Sequence, residues 1–148
     1  MGFLFGGGGS KPRQPKQTGP KQIKIVLVGD TTVGKSCLVI NYQRQVFDDL
    51  YEPTVLDVFK GTRKFNDKDL PIEIHDTSGD AHLGVNRAVS YNRADAFMLC
   101  VAINNRDSFD NVRKWRTEIR QVCKDVPIIL VGTKSDLRES CADPVTIE

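Results

Sequence analysis

No apolar run in this 148-residue chain approaches the roughly 20 residues that cross a bilayer, so no membrane-spanning helix is expected. Histidine is scarce, and His75 and His82 read as a strand-end and a loop residue rather than as pH sensors. The four cysteines, Cys37, Cys100, Cys123 and Cys141, contain no C-x-x-C pair. They read as reduced, mostly buried thiols of a cytosolic protein, not as a metal or disulfide framework. An apolar signal region with a cleavage site is lacking, so no signal peptide is expected. Gly2 invites acylation, but Gly6 stands where the myristoylation pattern wants Ser or Thr. Acidic residues are absent from residues 1–24, which hold five cations; with +2 on the whole chain, the rest is left at −3. A mildly acidic folded part argues against nucleic acid as a partner.

What is present divides the chain in two. Residues 1–21 are rich in Gly, Pro, Lys and Gln, with the run Gly6-Gly7-Gly8-Gly9-Ser10 and prolines at 12, 15 and 20. That composition predicts a flexible arm. Phe3-Leu4-Phe5 and the five cations suit weak contact with an anionic membrane, although a solvated tail is the simpler reading. From residue 22 onward, strand and helix patterns alternate. Strands are expected at 23–28, 55–63, 70–75 (ended by Asp76), 96–103 and 126–131, with a turn at 66–69 joining the second and third. Helices are expected over roughly 35–45, in a short stretch ending at Tyr91, and after Ser108. Ser108 reads as an N-cap, with Phe109, Val112, Trp115 and Ile119 forming one apolar face. Such alternation predicts an α/β, doubly wound, mainly parallel sheet with its ligand beyond the carboxyl ends of the strands.

One stretch organises the rest. Gly29-Asp30-Thr31-Thr32-Val33-Gly34-Lys35-Ser36 matches G-x-x-x-x-G-K-[ST], between a β-branched run and a helical pattern. A glycine loop there aims backbone N–H groups and the positive end of the helix at a phosphate, with Lys35 on the outer phosphates and the Ser36 hydroxyl on Mg2+. Thr54, Asp76 and Thr133–Asp136 all fall at strand ends or in adjoining loops on the same side of the expected sheet.

With Tyr51-Glu52-Pro53-Thr54-Val55, Asp76-Thr77-Ser78-Gly79 and Thr133-Lys134-Ser135-Asp136 added to that loop, the sequence resembles a small GTPase of the Ras superfamily. It is nearest the Rho/Rac branch, with some Rab character. The resemblance spans about residues 22–138. It implies a G domain of the P-loop NTPase type over 22–148, binding GTP or GDP with Mg2+. By the same resemblance the nucleotide would be held by Gly29, Asp30, Thr31, Thr32, Val33, Gly34, Lys35, Ser36, Cys37, Phe47, Tyr51, Thr54, Gly79, Thr133, Lys134, Asp136 and Leu137. Phe47 would pack on the base, Lys134 would lie along it, and Asp136 would accept two hydrogen bonds from guanine. Adenine cannot supply that pair, and an unpaired acceptor is costly, so ATP should be rejected. Ser36, Thr54 and Asp76 would hold the metal. Lys35, Thr54 and the residue at position 80 would serve turnover. Effectors and exchange factors would bind through 47–59 and 77–91.

The departures from the pattern are also informative. Asp80 stands where the family has Gln, so slow hydrolysis is expected. Thr31 replaces a glycine and should crowd an arginine finger. Residues 81–86, Ala-His-Leu-Gly-Val-Asn, replace a charged and aromatic stretch, so partner choice should differ. The family continues beyond residue 148 with another helix, a strand, a guanine-contacting loop and a final helix. Their absence predicts an incomplete domain with an open fifth strand. No C-terminal C-a-a-X carries prenylation over. A cytoplasmic protein, peripheral to a membrane at most, is expected. The alternatives are a non-cycling module that holds nucleotide structurally, or the first part of a larger GTPase.

Overall fold

In the computed structural model the residues described are 21–45 and 53–146. All of the expected arm but Lys21 lies outside them, as do Phe47 and Tyr51 of the expected site. The β-branched run Ile23–Val28 forms β1, buried from Val26 onward. Leu56–Phe65 (β2) and Lys68–Thr77 (β3) form an antiparallel hairpin. Its two-residue loop places Asn66 and Asp67 at φ 48° and 59°, a left-handed pair that the short polar side chains tolerate and that matches the twist of the strands. Ala96–Ala102 (β4) and Ile128–Thr133 (β5) complete the sheet, with order β2-β3-β1-β4-β5. β1 runs parallel to β3 and β4, and β4 parallel to β5. Only β2 is reversed, so the fold is doubly wound and mainly parallel, as expected.

Two apolar layers sandwich this sheet. Lys35–Arg44 (α1) covers one face, where Val39 packs with Leu27, Val33, Cys100 and Ala102. Gly84–Tyr91 (α2) and Val112–Val122 (α4) cover the other, where Tyr91, Trp115 and Ile119 pack with Val26, Val28, Phe97 and Leu99. Tyr91 meets Phe97 edge to face at 5.1 Å, a geometry worth about 1 kcal/mol beyond area burial. The neighbouring strands β1 and β3 therefore send their chains to opposite faces. That opens a crevice at their carboxyl ends, the usual ligand position of an open α/β sheet.

Several boundaries differ from the sequence reading. Asp76 does not end β3; the strand runs on to Thr77, whose buried hydroxyl donates to Leu27 O at 2.6 Å. α1 stops at Arg44, with Gln45 left-handed after it. β5 begins after Pro127 and takes in Gly132 and Thr133. Ser108 is not the N-cap. Asn105 fills that position, its Oδ1 accepting from Ser108 N, and Arg106–Asp110 (α3) precedes a break at Asn111 before α4. Ser108 is instead a buried clasp, its Oγ bonded to Ala102 N and O and to Asn105 O. A serine hydroxyl serves both jobs, and spacing alone does not separate them. Of the cysteines only Cys100 is buried; the other three are half-buried. Burial pushes the Cys100 thiol up to about 12, so it stays protonated and inert.

Among the described residues β5 pairs only with β4, and Ile129 and Leu130 are 55% and 48% exposed on its opposite faces. No helix among the described residues is long and apolar enough to cross a membrane.

Candidate functional site

The P-loop follows β1 through two backbone positions that favour glycine. Gly29 has φ 139°, and a Cβ there would sit 2.2 Å from Cys100 O; Gly34 has φ 93°. Between them Thr32 is left-handed at φ 60°, an unusual place for a β-branched residue. Lys35 opens α1 and is only 6% exposed. Its Nζ turns back to donate to Gly29 O at 2.9 Å and Asp30 O at 2.7 Å, which fixes the loop in a crown. Burial lowers the Lys35 pKa, with the Asp76 carboxylate acting against it.

Asp76 is fully buried, and neither carboxylate oxygen has a hydrogen-bond partner. Burial raises its pKa, against the nearby Ser36 hydroxyl and Lys35 ammonium. The Ser36 hydroxyl also lies 2.8 Å from that of Thr54. A buried carboxylate without a donor is expensive. Beside two hydroxyls and an ammonium, it suits a divalent cation. Among the described residues no group of three or more His, Cys, Asp or Glu side chains is placed to hold a metal. The Asp76 carboxylate with the nearby Ser36 hydroxyl is chemically compatible with a hard cation whose other ligands would come from outside the protein.

Beyond β3 the chain turns over the P-loop. A Cβ on Gly79 would lie 2.3 Å from both Asp30 C and Thr31 N, so only glycine allows this approach. Asp80 is exposed, and its carboxylate accepts from His82 N at 2.8 Å, capping the short 3-10 helix Ala81–Leu83. Thr31 is exposed at the rim. On the other side, the Thr133 hydroxyl joins Val33 O to Val101 O. Lys134 follows at φ 57°, and Asp136 is exposed on the 3-10 helix Ser135–Leu137, where Leu137 is 37% exposed. Cys37 is half-buried at the start of α1. Thus the P-loop, Thr54, Asp76, Gly79 and Thr133–Leu137 converge at one end of the sheet, and Asp136 stands as an exposed acceptor.

A second layer of residues escaped the sequence reading. Trp115, expected as plain core, is 1% exposed, yet its Nε1 donates to Asp30 Oδ1 at 2.7 Å, while Asn111 Nδ2 donates to Asp30 Oδ2 at 2.8 Å. The spacing of four between Asn111 and Trp115 puts both polar tips on one helix face; that was the available signal. Arg87, 3% exposed, stacks over the Trp115 ring at 4.8 Å and forks onto Glu118 at 3.0 and 3.1 Å. Its Nη1 donates to Ser78 O and Asp80 O. Tyr91 Oη donates to Glu118 Oε1 at 2.7 Å.

The comparisons agree with this geometry. A family model described as "Ras family" matches residues 24–148. The chain is 42% identical over 120 residues to Ras-like GTP-binding protein RhoL of Drosophila melanogaster, covering 80% of this chain and 63% of the relative. It is 38% identical over 131 residues to Ras-like GTP-binding protein RHO1 of Entamoeba histolytica, covering 88% and 61%. It is 41% identical over 123 residues to Rho-related protein racE of Dictyostelium discoideum, covering 82% and 55%. The chain thus spans 55–63% of the length of these curated relatives. A P-loop crowned by its own lysine, a buried carboxylate near the Ser36 hydroxyl, and these matches lead to one conclusion: the chain belongs to the Ras family and is similar to its Rho-related members.

Proposed function

We propose that this chain is a guanine-nucleotide switch that binds GTP or GDP with Mg2+ and hydrolyses GTP slowly. The observation that carries the reading is Asp76, buried without a hydrogen-bond donor beside Lys35 and Ser36. A buried carboxylate that finds no donor within the protein would gain much from a cation placed against it. Ser36, Thr54 and Asp76 would hold the Mg2+, which when bound neutralises charge on the phosphates. The Lys35 ammonium and the loop N–H groups would take the phosphate oxygens. Thr133, Lys134, Asp136 and Leu137 would receive the base. Phe47 and Tyr51, outside the described residues, belong to the same proposal. Effectors and exchange factors would read the two segments 47–59 and 77–91, whose described part exposes Val55, Val58, Val85 and Val89.

Slow turnover follows from Asp80. An ionised carboxylate offers no donor to an attacking water and repels a γ-phosphate, and here it is drawn into capping the turn that carries it. Single-turnover phosphate release on the full chain tests this. Wild type should be slow, and Asp80→Gln should be faster; a wild-type rate equal to that of the Gln variant would refute it. GDP with Mg2+ should also raise the unfolding midpoint strongly and ADP should not. A non-cycling module is the second reading, favoured by Asp80 and the altered segment 81–86. Nucleotide that neither exchanges nor turns over would leave only that one.

A further inference from the structure

One helix, α4, holds the P-loop directly and the turn after β3 through Arg87 of α2. Trp115 and Asn111 bind the Asp30 carboxylate through 2.7 and 2.8 Å hydrogen bonds. Four residues before Ile119, Trp115 also presents its ring face to Arg87 at 4.8 Å. One residue before Ile119, Glu118 grips that same guanidinium through two oxygens. Arg87 then donates to the carbonyls of Ser78 and Asp80, the two residues that flank Gly79. Gly79 itself lies against Asp30 and Thr31. The chain of contacts closes on itself: P-loop, α4, Arg87, the Gly79 turn, and back to the P-loop.

We propose that α4 is a strut that sets the position of the Gly79 N–H relative to the P-loop, with Glu118 and Arg87 as positioning residues for the third phosphate and Trp115 as the tie between the strut and the P-loop. The inference rests on the guanine-nucleotide reading above. The backbone N–H of Gly79 can contact a third phosphate only if the turn stays within about one hydrogen-bond length of it, and such contacts weaken steeply with distance and angle. Arg87 fixes the carbonyls on both sides of that N–H. Its planar fork needs Glu118 to keep its orientation, because five donors in a rigid plane cannot be satisfied by a point acceptor. Tyr91 donates to the same Glu118 Oε1 that accepts from Arg87 Nε, which leaves Glu118 little freedom to follow a displaced arginine. Burying Arg87 without its carboxylate would leave an unpaired charge, so the turn has to move when Glu118 is neutralised. The P-loop end of the strut differs, because the P-loop serves the phosphates common to GDP and GTP. Loosening Trp115 from Asp30 should therefore affect both nucleotides, whereas loosening Glu118 from Arg87 should affect only the longer one.

The test measures affinities of the full chain, with Mg2+, for a fluorescent GDP and a fluorescent non-hydrolysable GTP analogue. Glu118→Gln should weaken the GTP analogue about tenfold, the size of one lost hydrogen bond to a charged group, and leave GDP within about twofold. Trp115→Phe keeps the ring face but removes the indole donor, and should weaken both nucleotides by a similar factor. Should Glu118→Gln not fold, Arg87→Lys carries the same test, since lysine keeps the charge but cannot reach two carbonyls and a carboxylate together. A merely structural role would lower the unfolding midpoint and shift both nucleotides alike. An unchanged GTP-to-GDP affinity ratio in the variant that folds overturns the strut. Failure of wild type to bind either nucleotide would overturn the underlying reading instead.

Discussion

Gly79→Ala is the sharpest single perturbation. The added Cβ would lie 2.3 Å from Asp30 C and from Thr31 N and 2.7 Å from Asp30 O. Ordinary carbon contacts start near 3.4 Å, so a gap of about 1 Å has to open. Neither side yields cheaply. The Asp30 carbonyl accepts from buried Lys35 at 2.7 Å and its carboxylate from Trp115 and Asn111, while the carbonyls either side of Gly79 are held by Arg87. Overpacking of this kind costs about 1–3 kcal/mol, which corresponds to about 5- to 150-fold in a binding constant. The expected outcome is a fall of that size in affinity for a non-hydrolysable GTP analogue, with a smaller fall for GDP and a lower unfolding midpoint. Fluorescent-nucleotide titration and thermal unfolding measure the two effects. Affinity within twofold of wild type, with an unchanged midpoint, would refute the close approach of turn and loop.

Three further predictions follow from separate features. Asn105→Ala should destabilise the chain by about 1 kcal/mol through loss of the α3 cap, seen as a shifted urea midpoint with nucleotide affinity unchanged. Thr32→Gly should stabilise it by about 0.5–1 kcal/mol, because relief of a β-branched residue at φ 60° exceeds the entropy cost of glycine; a destabilised variant would show that the loop carries no such strain. Burial works to raise the Glu118 pKa, but hydrogen bonds from Arg87 and Tyr91 outweigh it and hold the carboxyl below its usual 4.5. A depressed carboxyl contributes stability above its unfolded pKa and loses it as pH falls through the folded one. Wild type should therefore lose stability below about pH 4.5 more steeply than Glu118→Gln, as acid titration of the unfolding midpoint would reveal.

The architecture was legible because its signals are local. A β-branched run marks β1 and a continuous apolar run marks β4, and a glycine loop between strand and helix marks the end of the sheet where a phosphate is expected. Boundaries slipped where two residues were chemically equivalent for the job: Ser108 and Asn105 can both cap a helix, and only the tertiary contacts of the Ser108 hydroxyl with Ala102 decide between them. The layer behind the site was not legible. Trp115 has the periodicity of core and is core by burial; that its one polar atom meets Asp30, 85 positions away, is a property of the assembled fold. Arg87 likewise gives no sequence signal of its partner, because Glu118 lies 31 positions away and is brought to it only by the packing of α4.

Thr133 has a consequence for ligand size. Its hydroxyl ties the end of β5 to the Val33 carbonyl inside the P-loop, immediately before the Lys134-Ser135-Asp136 turn. The two ends of the cleft are thereby set apart by the protein's own covalent and hydrogen-bonded frame. On the proposed reading the cleft would act as a fixed caliper, gauging a nucleotide by the span from its base to its first phosphate as well as by the groups on its base.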